Sequence, residues 1–205
     1  MKSISLEPLG QCSNLEKLNL DTNLLSEIDL SPLSYCSNLK ILSLTSNEIT
    51  HIDLTPLSRC LGLQALELSD NRLTEIDLSA LNQCKDLRWL YISDNRIRKL
   101  DLNPLSRLSK LQYLVLSGNL LREIDLSPLE RSRDLRYLHL NENALQTLDI
   151  SVLFYCDNLE SLAVDDTVLL TANHKLKHLP YFPDPINKKL EIVQWTHEVR
   201  HQFKA

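Results

Sequence analysis

A chain of 205 residues, 43% hydrophobic and 24% charged, has the composition of an ordinary soluble protein and the length of one domain. Its 27 acidic against 22 basic residues leave a net charge of −5, which argues against a dedicated nucleic-acid binder, since such a protein needs a basic face. No stretch reaches the ~20 apolar residues of a membrane span, and the first residues lack the apolar run of a secretion signal; the expectation is a cytoplasmic protein without nucleic-acid or membrane partners.

Residues 1–14 carry Ile4, Leu6, Leu9 and Cys12, which fit the second half of a coil whose strand is missing. No amphipathic cap precedes them, so either these residues cap the core themselves or this end is buried, in a homodimer or in a longer parent protein. From Leu15 a template begins, Leu15-x-x-Leu18-x-Leu20-x-x-Asn23, and it returns as Leu87-x-x-Leu90-x-Ile92-x-x-Asn95 and Leu135-x-x-Leu138-x-Leu140-x-x-Asn143. The asparagines fall at 23, 47, 71, 95, 119 and 143, always 24 residues apart. Within a unit, Leu39, Leu42 and Leu44 alternate toward one side of a short strand. Asn47 turns the corner, and Ile49, Ile52 and Leu54 continue the inward stripe. Ser or Thr before Pro, as in Ser31-Pro32 and Thr55-Pro56, is a helix-start signature. Leu57 and Cys60 are three apart, so that helix is about one turn long, either α or 3₁₀.

A fixed period of this length marks a solenoid whose units bury their apolar faces against one another. The predicted fold is α/β: a right-handed superhelix over residues 15–170 with a concave parallel sheet of about seven strands. At Thr167 the template loses its Asn and stops. Residues 171–205 are read as a C-terminal cap and tail, with Leu176, Phe182, Val193 and Trp195 covering the last coil. Residues 187–204 also fit an amphipathic helix through Ile192, Trp195, Val199 and Phe203. On the repeated template the chain resembles the leucine-rich-repeat superfamily over roughly residues 4–170. The resemblance implies an intracellular, non-catalytic interaction scaffold that needs no cofactor.

Three columns of the grid are read as structural. The Asn side chain carries both donors and an acceptor, so it can satisfy corner backbone groups of its own and the next coil. Cys12, Cys36, Cys60, Cys84 and Cys156 share one column. Stacked coils ~4.8 Å apart are within a disulfide's Cα range, but parallel Cβ vectors disfavour the bond; a ladder of reduced, buried thiols is expected. Asp29, Asp53, Asp77, Asp101, Asp125 and Asp149 form a third column, which would repel itself unless backbone N–H groups satisfy it.

Alternation sends other columns outward onto the concave sheet. They bring Trp89, Tyr91, Tyr113, Val115, Tyr137 and His139 side by side. Trp and Tyr are the residues enriched at interface hot spots, and contiguous apolar patches mark sites. Arg88 and Arg136 flank the patch, Glu67 borders it, and Asp70, Asp94 and Glu142 line one lip. These residues are the candidate site for another protein or a peptide. A second flank holds Arg72, Arg96, Arg98, Lys99 and Arg122, read as a solvated basic edge. The tail contains His197-Glu198-Val199-Arg200-His201, which resembles the zincin zinc-peptidase motif, with His197 and His201 as ligands and Glu198 as base. No third ligand follows it, Arg200 stands where that family has an apolar residue, and a short tail builds no cleft, so catalysis is not expected.

Overall fold

The computed structural model describes residues 1–197. Seven three-residue strands pair in parallel in the order of the repeats, save for one strand that belongs elsewhere: β1 (Lys17–Asn19), β2 (Ile41–Ser43), β3 (Ala65–Glu67), β4 (Trp89–Tyr91), β5 (Tyr113–Val115), β6 (Tyr137–His139) and β8 (Ser161–Ala163). Register follows the repeat, as in Leu66↔Leu90 and Leu90↔Leu114. Strands this short gain little alone, so their register is set by the inward leucines. Leu42, Leu66, Leu90, Leu114 and Leu138 are all fully buried, and a one-residue slip would turn each of them outward.

The return path of each coil is a 3₁₀ turn, such as Ser31–Tyr35, Thr55–Arg59 and Ser127–Arg131. Its cap differs from the sequence reading. The Ser or Thr begins the turn and is not its capping acceptor; the acceptor is the aspartate two residues earlier. Asp29, Asp53, Asp77, Asp101, Asp125 and Asp149 each take the backbone N–H of the turn's first residue on Oδ1 at 2.8 Å. This arrangement resolves the repulsion that a column of carboxylates would otherwise feel. The hydroxyls of Ser31, Thr55 and Ser79, then their N–H groups, hold the carboxyls of Asp29, Asp53 and Asp77 below the usual carboxylate range.

On the opposite corner the asparagines join the coils. Asn95 Oδ1 accepts from the Leu73 N–H of the preceding coil at 3.0 Å, while Nδ2 donates to Leu68 O of that coil at 3.0 Å and to Ser93 O of its own at 3.0 Å. Asn47, Asn71, Asn119 and Asn143 repeat the pattern. The residue before each Asn takes a left-handed backbone, at φ 53–57° for Thr22, Ser46, Asp70, Asp94 and Glu142 and 65° for Gly118. A non-glycine residue there stores ~1 kcal/mol or more of strain, so the asparagine bonds must hold each corner against it. At Gly118 a Cβ would collide with the Asp94 side chain, which gives glycine a second reason to be there.

The ends close the stack differently. Met1 takes the grid place of Leu25 and Ile49: its amino group donates to Asn23 Oδ1 at 3.0 Å and its carbonyl accepts from Leu24 N–H at 2.8 Å. Cys36, Cys60, Cys84 and Cys156 are buried free thiols, but Cys12, in the first turn, is exposed. Burial pushes the thiols up, to about 11 for Cys60 and about 12 for Cys84 and Cys156. At the other end β7 (Thr147–Asp149), β9 (Leu169–Asn173) and β10 (Gln194–Thr196) form a second parallel sheet, ordered β10-β9-β7. Phe182 and Trp195 meet Phe154 edge-on at 5.6 and 5.9 Å, and Ile186 and Val193 are buried beside them. The amphipathic helix read over 187–204 is not formed across 190–197, where a 3₁₀ turn (Leu190–Ile192) leads into β10. Pairing with β9 satisfies that backbone, and the alternation buries Val193 while Trp195 packs on Phe154. The remainder of that reading lies outside the described residues.

Asn95→Ala leaves the buried Leu73 N–H and Leu68 carbonyl without partners, and it should lower stability by ~1–3 kcal/mol. Asn23→Ala, at the half-exposed end, should cost clearly less. Denaturant melts of both variants check this, and equal losses would contradict the ladder.

Candidate concave binding surface

The register sets two adjacent rows on the concave sheet. Trp89, Tyr113 and Tyr137 stand in one, Tyr91, Val115 and His139 in the other. All six are half-buried by one another. The Tyr113 and Tyr137 rings stack with centroids 4.5 Å apart and planes 9° from parallel, about the spacing of the coils that carry them. Tyr91 leans on Tyr113 at 6.1 Å, and His139 meets Tyr137 edge-on at 6.1 Å. The Arg88 guanidinium lies 5.9 Å over the Trp89 ring. The Tyr113 and Tyr137 faces are therefore turned along the solenoid toward each other, and one face of Trp89 is covered by Arg88.

Polar groups brace both ends of the patch. Ser43, almost fully buried, places its hydroxyl 2.6 Å from Asp21 and 2.8 Å from Glu67, which draws these two carboxylates together on the early strands. At the other end Glu160, which the sequence reading passed over, accepts from the Tyr137 hydroxyl at 2.5 Å and from Arg136 Nε at 2.8 Å. His139 Nε2 lies 3.0 Å from Ser161 Oγ. Hydrogen bonding to the Glu160 carboxylate pushes the Tyr137 phenol up, while the Tyr137 hydroxyl first and Arg136 second hold Glu160 down. Burial raises Tyr91. Arg136 is thus already paired and acts chiefly to hold Glu160 and Tyr137 in place.

Glu160 had a legible signal. It stands 24 residues after Arg136, and every ion pair found among the described residues shares that spacing: Lys40–Glu16, Arg72–Glu48, Lys110–Asp86 and Arg136–Glu160. Each is well exposed and adds little stability singly. Arg72 is taken out of the basic flank by Glu48, which leaves Arg96, Arg98, Lys99 and Arg122. The lip residues Asp70, Asp94 and Glu142 fall in the left-handed column before the asparagines. In the tail, the His174 and His197 rings approach to 4.4 Å, and the buried His174 Nδ1 has no hydrogen-bond partner among the described residues. The rest of the zincin-like motif, Glu198 to His201, lies outside the described residues. Among the described residues no three His, Cys, Asp or Glu side chains gather as a metal site.

The architecture is that of a repeat solenoid with a parallel concave sheet. A leucine-rich-repeat family model matches residues 13–73 and 61–121, more than half the chain, and the protein belongs to the leucine-rich-repeat family. No curated protein matches the sequence. Solved structures do. An internalin of Listeria monocytogenes (InlF) is 29% identical with a TM-score of 0.61, over 78% of this chain and 48% of its own. A leucine-rich-repeat protein of Leptospira interrogans is 25% identical at TM-score 0.75, over 95% and 52%. The ectodomain of the Arabidopsis thaliana membrane receptor kinase GASSHO1/SCHENGEN3, solved in complex with Casparian strip integrity factor 2, is 30% identical at TM-score 0.72, over 82% and 20%. The chain therefore spans about half or less of each of these proteins.

Glu160→Gln removes the charge that raises the Tyr137 phenol. Tyr137 should then titrate at lower pH, because its neutral form loses a charge-assisted bond and its anion loses a repulsive neighbour. NMR of ring-labelled tyrosine across alkaline pH reads this directly. An unmoved Tyr137 titration would show that Glu160 does not hold it.

Proposed function

We propose that this chain is a non-catalytic scaffold that binds a protein or peptide segment on its concave face. The observation that carries the reading is the braced aromatic row Trp89–Tyr113–Tyr137, with Tyr91, Val115 and His139 beside it. Nothing in the solenoid demands aromatic residues there, since the same columns hold Ile41, Ala65 and Ser161 in other coils. Trp and Tyr present a large rigid surface at small entropic cost, which is how interface anchors work. Ring orientation favours a polypeptide over a sugar or nucleobase. Those ligands stack on open ring faces, and here Tyr113 and Tyr137 face each other while Arg88 lies over Trp89. With those faces occupied, the half-buried rings offer an apolar surface that suits the side chains of a polypeptide. Arg88 and Glu67 orient the partner from the margins, while Arg136 holds Glu160 and Tyr137 in place beside the row. Support also comes from the receptor-kinase ectodomain, a related solenoid solved with a bound partner.

The test uses wild-type protein as bait in native extract beside a Trp89→Ala/Tyr113→Ala/Tyr137→Ala variant. The captured protein is then purified and its affinity measured for each single variant. Trp89→Ala and Tyr113→Ala should leave the melting curve nearly unchanged and weaken binding by ~2 kcal/mol or more each. Binding unaltered in both variants would remove the concave face as the site.

A further inference from the structure

The C-terminal segment does more than cover the last coil. The short helical turn Asp184–Asn187 packs beside β8, and between it and the approaches to β6 and β8 lies a groove of about 630 Å³. Arg136 and Glu160 line this groove and also hold Tyr137, so these two side chains link it to the tyrosine row. Tyr181 stands at its rim, 60% exposed between Pro180 and Pro183.

The charges of the groove do not balance internally. Arg136 and Glu160 neutralise each other. Lys188 is then opposed by three exposed carboxylates, Asp134, Asp157 and Asp184, and none of these four is in an ion pair among the described residues. They come from three separate stretches of chain, two coil corners and the capping segment, so the fold and not local sequence gathers them. An anion would be repelled here. A cation would meet complementary charge, with the Tyr181 ring available beside it.

We propose that this groove receives a lysine or arginine side chain, so that the partner is an extended basic peptide segment whose adjoining apolar residues lie on the Tyr113–Tyr137 row. The inference rests on the concave-face reading and adds a charge requirement to it. The apolar row supplies affinity, and the groove supplies register, because a basic residue enters it only when its neighbours are aligned with the tyrosines.

The experiment selects a phage-displayed random heptapeptide library against three forms of the full chain: wild type, Asp134→Asn/Asp157→Asn/Asp184→Asn, and Tyr113→Ala/Tyr137→Ala. Melting curves confirm that each form is folded. Wild type should enrich peptides carrying Lys or Arg beside apolar residues. The best peptide, synthesised, should bind roughly threefold to tenfold more weakly to the triple-asparagine form and lose affinity as salt rises. It should lose measurable binding to the tyrosine variant. If peptides depend on the tyrosines but show no basic enrichment, or bind the triple-asparagine form equally, the groove inference falls and the concave reading stands. If the peptides ignore the tyrosine variant, or wild type selects none, both fall.

Discussion

Everything in this molecule depends on the hydrogen bonds of one asparagine per coil. Each buried side-chain amide joins its own corner to the coil before it through an accepted N–H and donated bonds to two backbones. Those backbone groups point into a tight corner where water is excluded, and leaving them unpaired would cost more than each bond gains. The same bonds hold the preceding residue in the left-handed region, as at Asp70 and Asp94. Strain and satisfaction are therefore coupled at one point per repeat, and the coil geometry follows.

Once coils repeat at a fixed interval, sequence columns become rows in space. This rule explains the carboxylate caps on one edge, the thiols packed along another, and the ion pairs that join residues one repeat apart. It also builds the candidate site. Tyr113 and Tyr137 stack because their strands are neighbours in register, and the parallelism of the rings follows from that of the coils. A surface assembled this way is positioned by the coils beneath it and not by a partner, which lowers the ordering cost the proposed binding would carry.

Much of this was legible in the sequence, because periodicity is a local signal repeated many times. The inward leucines, the asparagine corners and the outward aromatic columns all came from spacing alone. Other features were hidden for identifiable reasons. Ser31 and Thr55 looked like helix caps, but in a one-turn 3₁₀ segment the aspartate two residues back reaches the N–H better. Glu160 shares the column of Arg88 and Arg136, but its coil carries no aromatic residue, and its tie to Tyr137 is a side-chain contact between coils that spacing does not reveal. The role of Met1 follows from its grid position, one repeat before Leu25, which carries no side-chain pattern of its own. Beyond Thr167 the period ends, and only tertiary pairing with β9 decides that Gln194–Thr196 is a strand and not part of a helix. The groove between Asp134, Asp157 and Asp184 could not be read at all, since the capping segment's path over the last coils creates it.

The most direct measurement is backbone hydrogen exchange resolved by residue. The amides of Leu25, Ile49, Leu73, Ile97 and Leu121 are bonded to an asparagine side chain of the next coil and to no other backbone group. If the asparagine column holds the stack, these corner amides should exchange as slowly as the neighbouring strand amides and open only with the whole solenoid. Fast exchange at these positions, with the strands still protected, would contradict it.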